Sequence, residues 1–356
     1  MRTNRPVTDR TADARVTVFS LGGTIASTND GPPTAAGGVT PRLGAAELVQ
    51  AVPQIQQVAE LEAVAFRQTA SGDLTLPDLV ALAAEIAQRF EQGADGVVVT
   101  QGTDTIEETS FALDLLVGGN RPVVVTGAMR NPTLAGPDGP ANLLAAVQVA
   151  AAPSAADLGT VVVFNDEVHA ARFVRKTHTS SPATFRSVTV GPLGWIVEGR
   201  PRIAFRLPSL AGVPYRVAEG AVPPVALLTS VLGDDSRLIE QVEAAGYAGL
   251  VLEAFGGGHV PASVVPALAE LAARMPVVLA SRTGGGEMLR QTYGFPGSER
   301  DLLSRGLIPG GFLDGRKARI LLSVLLATGC DLDGVRTAFA KVDDSVSLPA
   351  SVPAGA

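Results

Sequence analysis

Val16-Thr17-Val18-Phe19-Ser20-Leu21-Gly22-Gly23-Thr24-Ile25-Ala26-Ser27 is the stretch whose reading decides the fold. Its run of β-branched and aromatic residues predicts a buried strand. Two glycines end the run in a tight turn and leave a hydroxyl, Thr24, at the strand's carboxyl end. In an open α/β sheet, ligands bind at that edge. A hydroxyl there is a candidate nucleophile, but a free threonine is nearly inert at neutral pH and needs an activating group. The other reading of Thr24 is a turn threonine that caps a helix.

The same grammar recurs along the chain. Gly96-Val97-Val98-Val99-Thr100 predicts a strand that runs into Gln101-Gly102-Thr103-Asp104-Thr105. Glu107 and Glu108 then open a helix, where anions suit the positive end of the helix dipole. Val123-Val124-Val125 ends at Gly127-Ala128-Met129-Arg130, and Val161-Val162-Val163-Phe164 leads to Asn165-Asp166-Glu167. Helices are expected over 45–51, 76–90 and from Asp138-Gly139-Pro140 to Ala151. Continuous apolar strands alternating with helices predict a parallel sheet covered on both faces. The expectation is α/β with two domains: a tail over 1–14, a larger parallel-sheet domain over 15–205, a linker over 206–224, and a smaller α/β domain over 225–350. The first fourteen residues, polar and Arg-rich, read as disordered, and 187–224 reads as irregular. Residues 27–39, rich in Gly, Pro, Thr and Ala, read as a mobile lid.

Composition bounds the function. The 356 residues are 46% hydrophobic, too many for a disordered chain, and enough for two buried cores. A net charge of −7 argues against a nucleic-acid footprint. No apolar run reaches membrane-spanning length, and the first fourteen residues do not read as a secretory signal. Cys330 is the only cysteine, which excludes an internal disulfide and suits a reducing compartment, so a cytoplasmic address is expected.

Several residues read two ways when taken alone. Thr103 and Asp104 are either helix caps or site residues; two parallel strands that each deliver a threonine to one sheet edge favour the second. Lys176 is either a solvated surface lysine or, if buried beside a carboxylate, a group able to exchange a proton with a hydroxyl. Ser71, in Ala70-Ser71-Gly72-Asp73, is a turn serine or a ligand contact. His169, His178 and His259 form no metal pattern and no Ser–His–Asp spacing, so no metal or cofactor is expected. Trp195 reads as core. Gly310 to Lys317 imitates a phosphate loop but has Arg316 where the lysine belongs, and 317–327 reads as an amphipathic core helix.

Together, Leu21-Gly22-Gly23-Thr24-Ile25-Ala26, Gln101-Gly102-Thr103-Asp104-Thr105-Ile106-Glu107-Glu108-Thr109, Gly127-Ala128-Met129-Arg130 and Asp138-Gly139-Pro140 resemble the bacterial-type L-asparaginase family. Asn165-Asp166 with Lys176, Gly191-Pro192-Leu193-Gly194 and Lys317-Ala318-Arg319 extend the resemblance over roughly residues 15 to 345. The resemblance implies hydrolysis of the side-chain amide of L-asparagine through an acyl-enzyme ester. Carried over by motif, Thr24 is the nucleophile, and Thr103, Lys176 and Asp104 form a relay in which the lysine accepts and returns a proton through the threonine hydroxyl. Ser71 binds the α-carboxylate, with Gly72 beside it; Asp104 also holds the α-amino group; the Ala128 carbonyl orients the leaving amide. Glu299 falls where the family places an acidic residue donated by a neighbouring subunit, so a homo-oligomer is implied, a dimer or a tetramer of intimate dimers.

The chain departs from the family pattern at three places. The lid tyrosine expected beside the nucleophile is replaced by Gly38, and Tyr293 is a substitute to consider. The glutamine expected after the serine is Gly72, which puts glutamine turnover in doubt. Gln101 stands where a histidine is common. The alternatives are an amidase acting on another amide, such as glutamine or a D-amino acid amide, and a catalytically silent amino-acid-binding protein.

Overall fold

The computed structural model describes residues 14–28, 40–41, 44–208, 214–218, 220 and 222–344. Residues 1–13 of the expected tail over 1–14 and residues 29–39 of the expected lid over 27–39, with Gly38, lie outside these residues. β1 (Arg15–Gly22) is buried at every position after the first. The first residues of the expected lid, β2 (Ser27–Thr28), pair antiparallel with β3 (Thr40–Pro41), which follows it. After α1 (Ala45–Gln50), β4 (Glu60–Thr69) lies parallel to β1. α2 (Leu76–Glu91) starts where the Thr75 hydroxyl accepts from the Asp78 amide and the Asp78 carboxylate returns the bond to Thr75, a reciprocal cap. β5 (Gly96–Thr100), α3 (Ile106–Leu116), β6 (Val123–Thr126), α4 (Gly139–Ala150) and β7 (Thr160–Phe164) complete the parallel part. The valines at 97–99, 123–125 and 161–163 are all buried, as strands covered on both faces require.

The large sheet is mixed rather than purely parallel. β8 (Glu167–Ala170) turns back against β7, and β9 (Arg175–Lys176) pairs with β10 (Phe185–Arg186) as a separate short ribbon. β11 (Gly194–Val197) and β12 (Arg200–Ile203) form a hairpin at the edge, giving the order β12-β11-β8-β7-β6-β5-β1-β4. The expectation of an irregular stretch over 187–224 misses this hairpin. Its strands have four residues each, and its turn places Glu198 and Gly199 at positive φ, 51° and 73°. Trp195, expected in the core, is 40% exposed on this edge, because only one face of an edge hairpin has a helix to pack on.

The second domain is a four-stranded parallel sheet in the order β13-β14-β15-β16. β13 (Val225–Thr229), α5 (Arg237–Ala244), β14 (Gly249–Ala254), α6 (Val265–Ala272), β15 (Val277–Ser281), α7 (Glu299–Ser304) and β16 (Ile308–Pro309) alternate, and α8 (Gly315–Ala327) and α9 (Leu332–Asp344) close the fold. α8 packs against both its own sheet and α3 of the large domain. One apolar core therefore runs unbroken from Phe111 and Leu115 to Leu321, Val251 and Val278. Burial on this scale fixes the two domains relative to each other at the α3–α8 seam.

Candidate active site

Four neighbouring strands, β4, β1, β5 and β6, run parallel, so their carboxyl ends open on one edge of the sheet. Each ends in a tight turn that carries a residue singled out from the sequence. Ser71 opens a 3₁₀ turn after β4, Thr24 one after β1, and Thr103 one after β5; Ala128 follows β6.

Glycine is what lets these turns touch. Gly22 and Gly23 have φ of 100° and 86°, a conformation side chains rarely adopt. A Cβ on Gly23 would stand 2.0 Å from the Gly102 amide nitrogen, so the backbone before Thr24 lies directly on the backbone before Thr103. A Cβ on Gly102 would meet the Ser71 Oγ at 2.7 Å, and one on Gly127 would meet the Gln101 carbonyl at 2.6 Å and the Thr103 Cγ2 at 3.4 Å. The Thr105 hydroxyl ties two of the turns further by donating to the Ser71 carbonyl at 3.0 Å, and Gln101 Nε2 lies 3.2 Å from that hydroxyl. On the fourth turn, the Asp138 carboxylate accepts from the Met129 and Arg130 amides, and Asn142 Nδ2 donates to the Gly127 carbonyl at 3.0 Å. The Asp138-Gly139-Pro140 motif thus shapes the turn that presents Ala128.

Lys176 comes to this edge from β9. Its ammonium donates to Thr103 Oγ1 at 2.9 Å and to Asp104 Oδ1 at 2.5 Å. Thr103 is buried, Asp104 is 78% exposed at its side chain, and Lys176 is 16% exposed. A buried hydroxyl held by a lysine, with an outward carboxylate on the next residue, is equipped for two tasks. The lysine–hydroxyl pair can pass a proton, and the carboxylate can hold a cation arriving from solvent. Thr24 is partly exposed on the turn after β1. Gly72 is exposed beside Ser71, and among the described residues no atom lies within 4 Å of where a Cβ there would stand.

Glu299 behaves differently. It is fully buried at the first position of α7, and its Oε1 accepts from the Thr292 and Tyr293 amides at 2.7 Å each. Its Oε2 lies 3.3 Å from His259 Nε2. Burial alone would raise the pKa of this carboxyl; the Tyr293 and Thr292 amides and His259 more than offset it and hold the group below its ordinary value. These contacts all lie within the small domain and anchor the loop that exposes Tyr293 and Phe295, whose rings pack edge-on against His259.

The chain matches two family models: the N-terminal asparaginase domain over residues 15–208, and the glutaminase/asparaginase C-terminal domain over residues 224–339. The chain belongs to the asparaginase family. It is 34% identical to L-asparaginase 2 of Escherichia coli (strain K12) over 329 residues, which cover 91% of this chain and 92% of that relative. It is also 34% identical to the L-asparaginase of Bacillus licheniformis, over 88% of this chain and 96% of the relative. The crystal structure of the probable cytoplasmic L-asparaginase from Campylobacter jejuni superposes with a TM-score of 0.84 at 31% identity, covering 92% of this chain and all of that one. Among the described residues of this asparaginase-family enzyme, no helix is long and apolar enough to cross a membrane.

Two charged residues of the neighbourhood escaped the sequence reading. Glu107, which the sequence places at the positive end of a helix dipole and in the Gln101–Thr109 motif without a role, is buried, and burial raises its pKa against the pull of Lys317 and Arg316. Lys317, read as part of a plain amphipathic helix, has no exposed surface. The signal for Lys317 was available: it shares a helix face with Leu321, four residues on, and that face is apolar.

Proposed function

We propose that this enzyme hydrolyses the side-chain amide of L-asparagine to L-aspartate and ammonia through an ester on Thr24, as a step of asparagine catabolism. The observation that carries the reading is the Lys176–Thr103–Asp104 cluster, set on a turn whose backbone lies against that of the Thr24 turn. Thr24 Oγ attacks the amide carbon, and backbone N–H groups of the Thr24 and Thr103 turns stabilise the oxyanion. The amide nitrogen takes up a proton and leaves as ammonia, with the carbonyl of Ala128 orienting it. That proton is the one Thr24 Oγ gives up on attack, carried by way of the Thr103 hydroxyl and Lys176. In the second half-reaction water attacks the ester, its proton follows the same relay, and Thr24 is regenerated with release of aspartate.

Asp104 holds the substrate's α-ammonium from its exposed side, and Ser71 holds the α-carboxylate. Such contacts fix the amide against the nucleophile before reaction. Gly72 offers the α-carboxylate no side-chain contact, a loss asparagine and glutamine share, and asparagine is assigned as the preferred substrate from the likeness to the L-asparaginases. Tyr293 and Phe295, exposed on the loop that Glu299 anchors, offer an apolar surface to a second copy of the chain, and we infer a homo-oligomer in which Glu299 acts by holding that loop. The single cysteine and the similarity to a cytoplasmic relative favour the cytoplasm.

The test is ammonia release from L-asparagine, L-glutamine and D-asparagine, with equilibrium binding of each measured in parallel. The expected result is turnover fastest with L-asparagine. Tight binding without ammonia from any of them identifies a binding protein, and faster release from another amide reassigns the substrate.

A further inference from the structure

The strand that carries Lys176 is two residues long and cannot hold that side chain in place through its ladder alone. Three successive residues are tethered instead. The carbonyl of Val174 accepts from Lys317 Nζ at 2.7 Å. Arg175 Nε stands 3.5 Å from Asp314 Oδ2. The amide of Lys176 donates to Glu107 Oε2 at 3.3 Å. The tethers are themselves joined: Lys317 Nζ donates to Asp314 Oδ2 at 3.1 Å and lies 3.9 Å from Glu107 Oε2, and Arg316 Nη1 lies 3.2 Å from Glu107 Oε1. Lys317 and Glu107 are buried, where breaking one member of a charged set leaves the others uncompensated.

The geometry points to a bracket built from both domains. Glu107 sits in the first turn of α3, directly after the turn that carries Thr103 and Asp104. It therefore fixes Lys176 to the residues that Lys176 must reach. Asp314, the N-cap of α8, and Lys317, in its first turn, come from the small domain. We propose that Lys317 and Glu107 are positioning residues for Lys176, so that the small domain sets the geometry of the proton relay across the α3–α8 seam. This rests on the relay described under the proposed function. A displacement of about 1 Å at a reacting group can lower a rate on the order of 100-fold.

The test is a double-mutant cycle on purified full-length enzyme, with kcat and KM for L-asparagine measured per folded chain. Lys317→Met is expected to lower kcat 10- to 100-fold with KM changed less than threefold. In a Lys176→Met background the same substitution is expected to change kcat less than threefold, because its target is already gone. If Lys317→Met does not fold, Glu107→Gln and Glu107→Ala replace it. The glutamine keeps an oxygen for the Lys176 amide and retains more activity than the alanine. Wild-type kcat per folded chain with only a lower melting temperature overturns the inference, as does an equal drop in both backgrounds. The two failures are separable. If Lys176→Met itself keeps full activity, the relay is wrong and the inference falls with it; if Lys176→Met is inactive while the bracket variants turn over normally, the relay stands and only the inference is lost.

Discussion

Lys176→Met keeps the length of the side chain and removes its charge and donors. Loss of a group that moves a proton in the transition state costs roughly 100- to 10,000-fold in rate, or about 3–5 kcal/mol of barrier. The cost in stability is smaller. The partner carboxylate of Asp104 is 78% exposed, so the ion pair contributes about 1 kcal/mol or less. The Thr103 hydroxyl is buried and loses a partner, which adds about 1–2 kcal/mol. The melting temperature should therefore fall by no more than roughly 10 °C. Initial rates of ammonia release give kcat and KM, and circular dichroism gives the melt. The expected outcome is a fall in kcat of two orders of magnitude or more, KM within threefold, and a folded protein at 25 °C. A rise in KM with kcat intact would show that Lys176 binds substrate and moves no proton, and a kcat within fivefold of wild type in a folded variant refutes its role altogether.

Thr24→Ala should lower turnover roughly 100-fold or more with an unchanged melt, since the residue lies on a partly exposed turn; near-normal rates in steady-state assays would remove it as nucleophile. Gly23→Ala should prevent folding or destabilise by roughly 3 kcal/mol or more, because its Cβ would stand 2.0 Å from the Gly102 nitrogen at a φ of 86°; wild-type stability in urea melts would mean the two turns are not in contact. Gly72→Gln should fold normally, as a Cβ there meets nothing within 4 Å among the described residues, and should lower KM for L-asparagine; an unchanged KM denies that position a substrate contact. His169 is 1% exposed, and burial, with the Arg186 charge, pushes its pKa down to about 4 from 6.5. Between those values the unfolded chain binds the proton and the folded chain does not, so stability should fall from pH 6.5 to pH 4, by up to about 3 kcal/mol. Urea melts across that range should show the slope, and His169→Gln should flatten it.

The sequence by itself determined the architecture of the large sheet's parallel part and the identity of the residues on its edge. Apolar runs such as 97–99, 123–125 and 161–163 are buried as strands covered on both faces, and glycines after the strands that lead to Thr24, Thr103 and Ala128 mark their turns. Thr24 and Thr103 stand out for that reason, since each follows a glycine at a strand end; Ser71 reads two ways on its own, and its role and that of Ala128 come from the family resemblance. The mixed edge was not legible, because four-residue strands and a turn through Glu198 and Gly199 carry too little pattern. Only the tertiary structure decided what Lys176 touches. It lies 73 residues from Thr103 on a two-residue strand, and nothing within its own segment tells a buried, partnered lysine from a solvated one. The tertiary structure likewise turned Glu107 from a helix-dipole residue and Lys317 from a helix-face residue into one buried charged set, and it placed the Glu299 carboxylate on the Thr292 and Tyr293 amides. Charge burial is a property of what the rest of the chain packs around a group, and no local pattern encodes it.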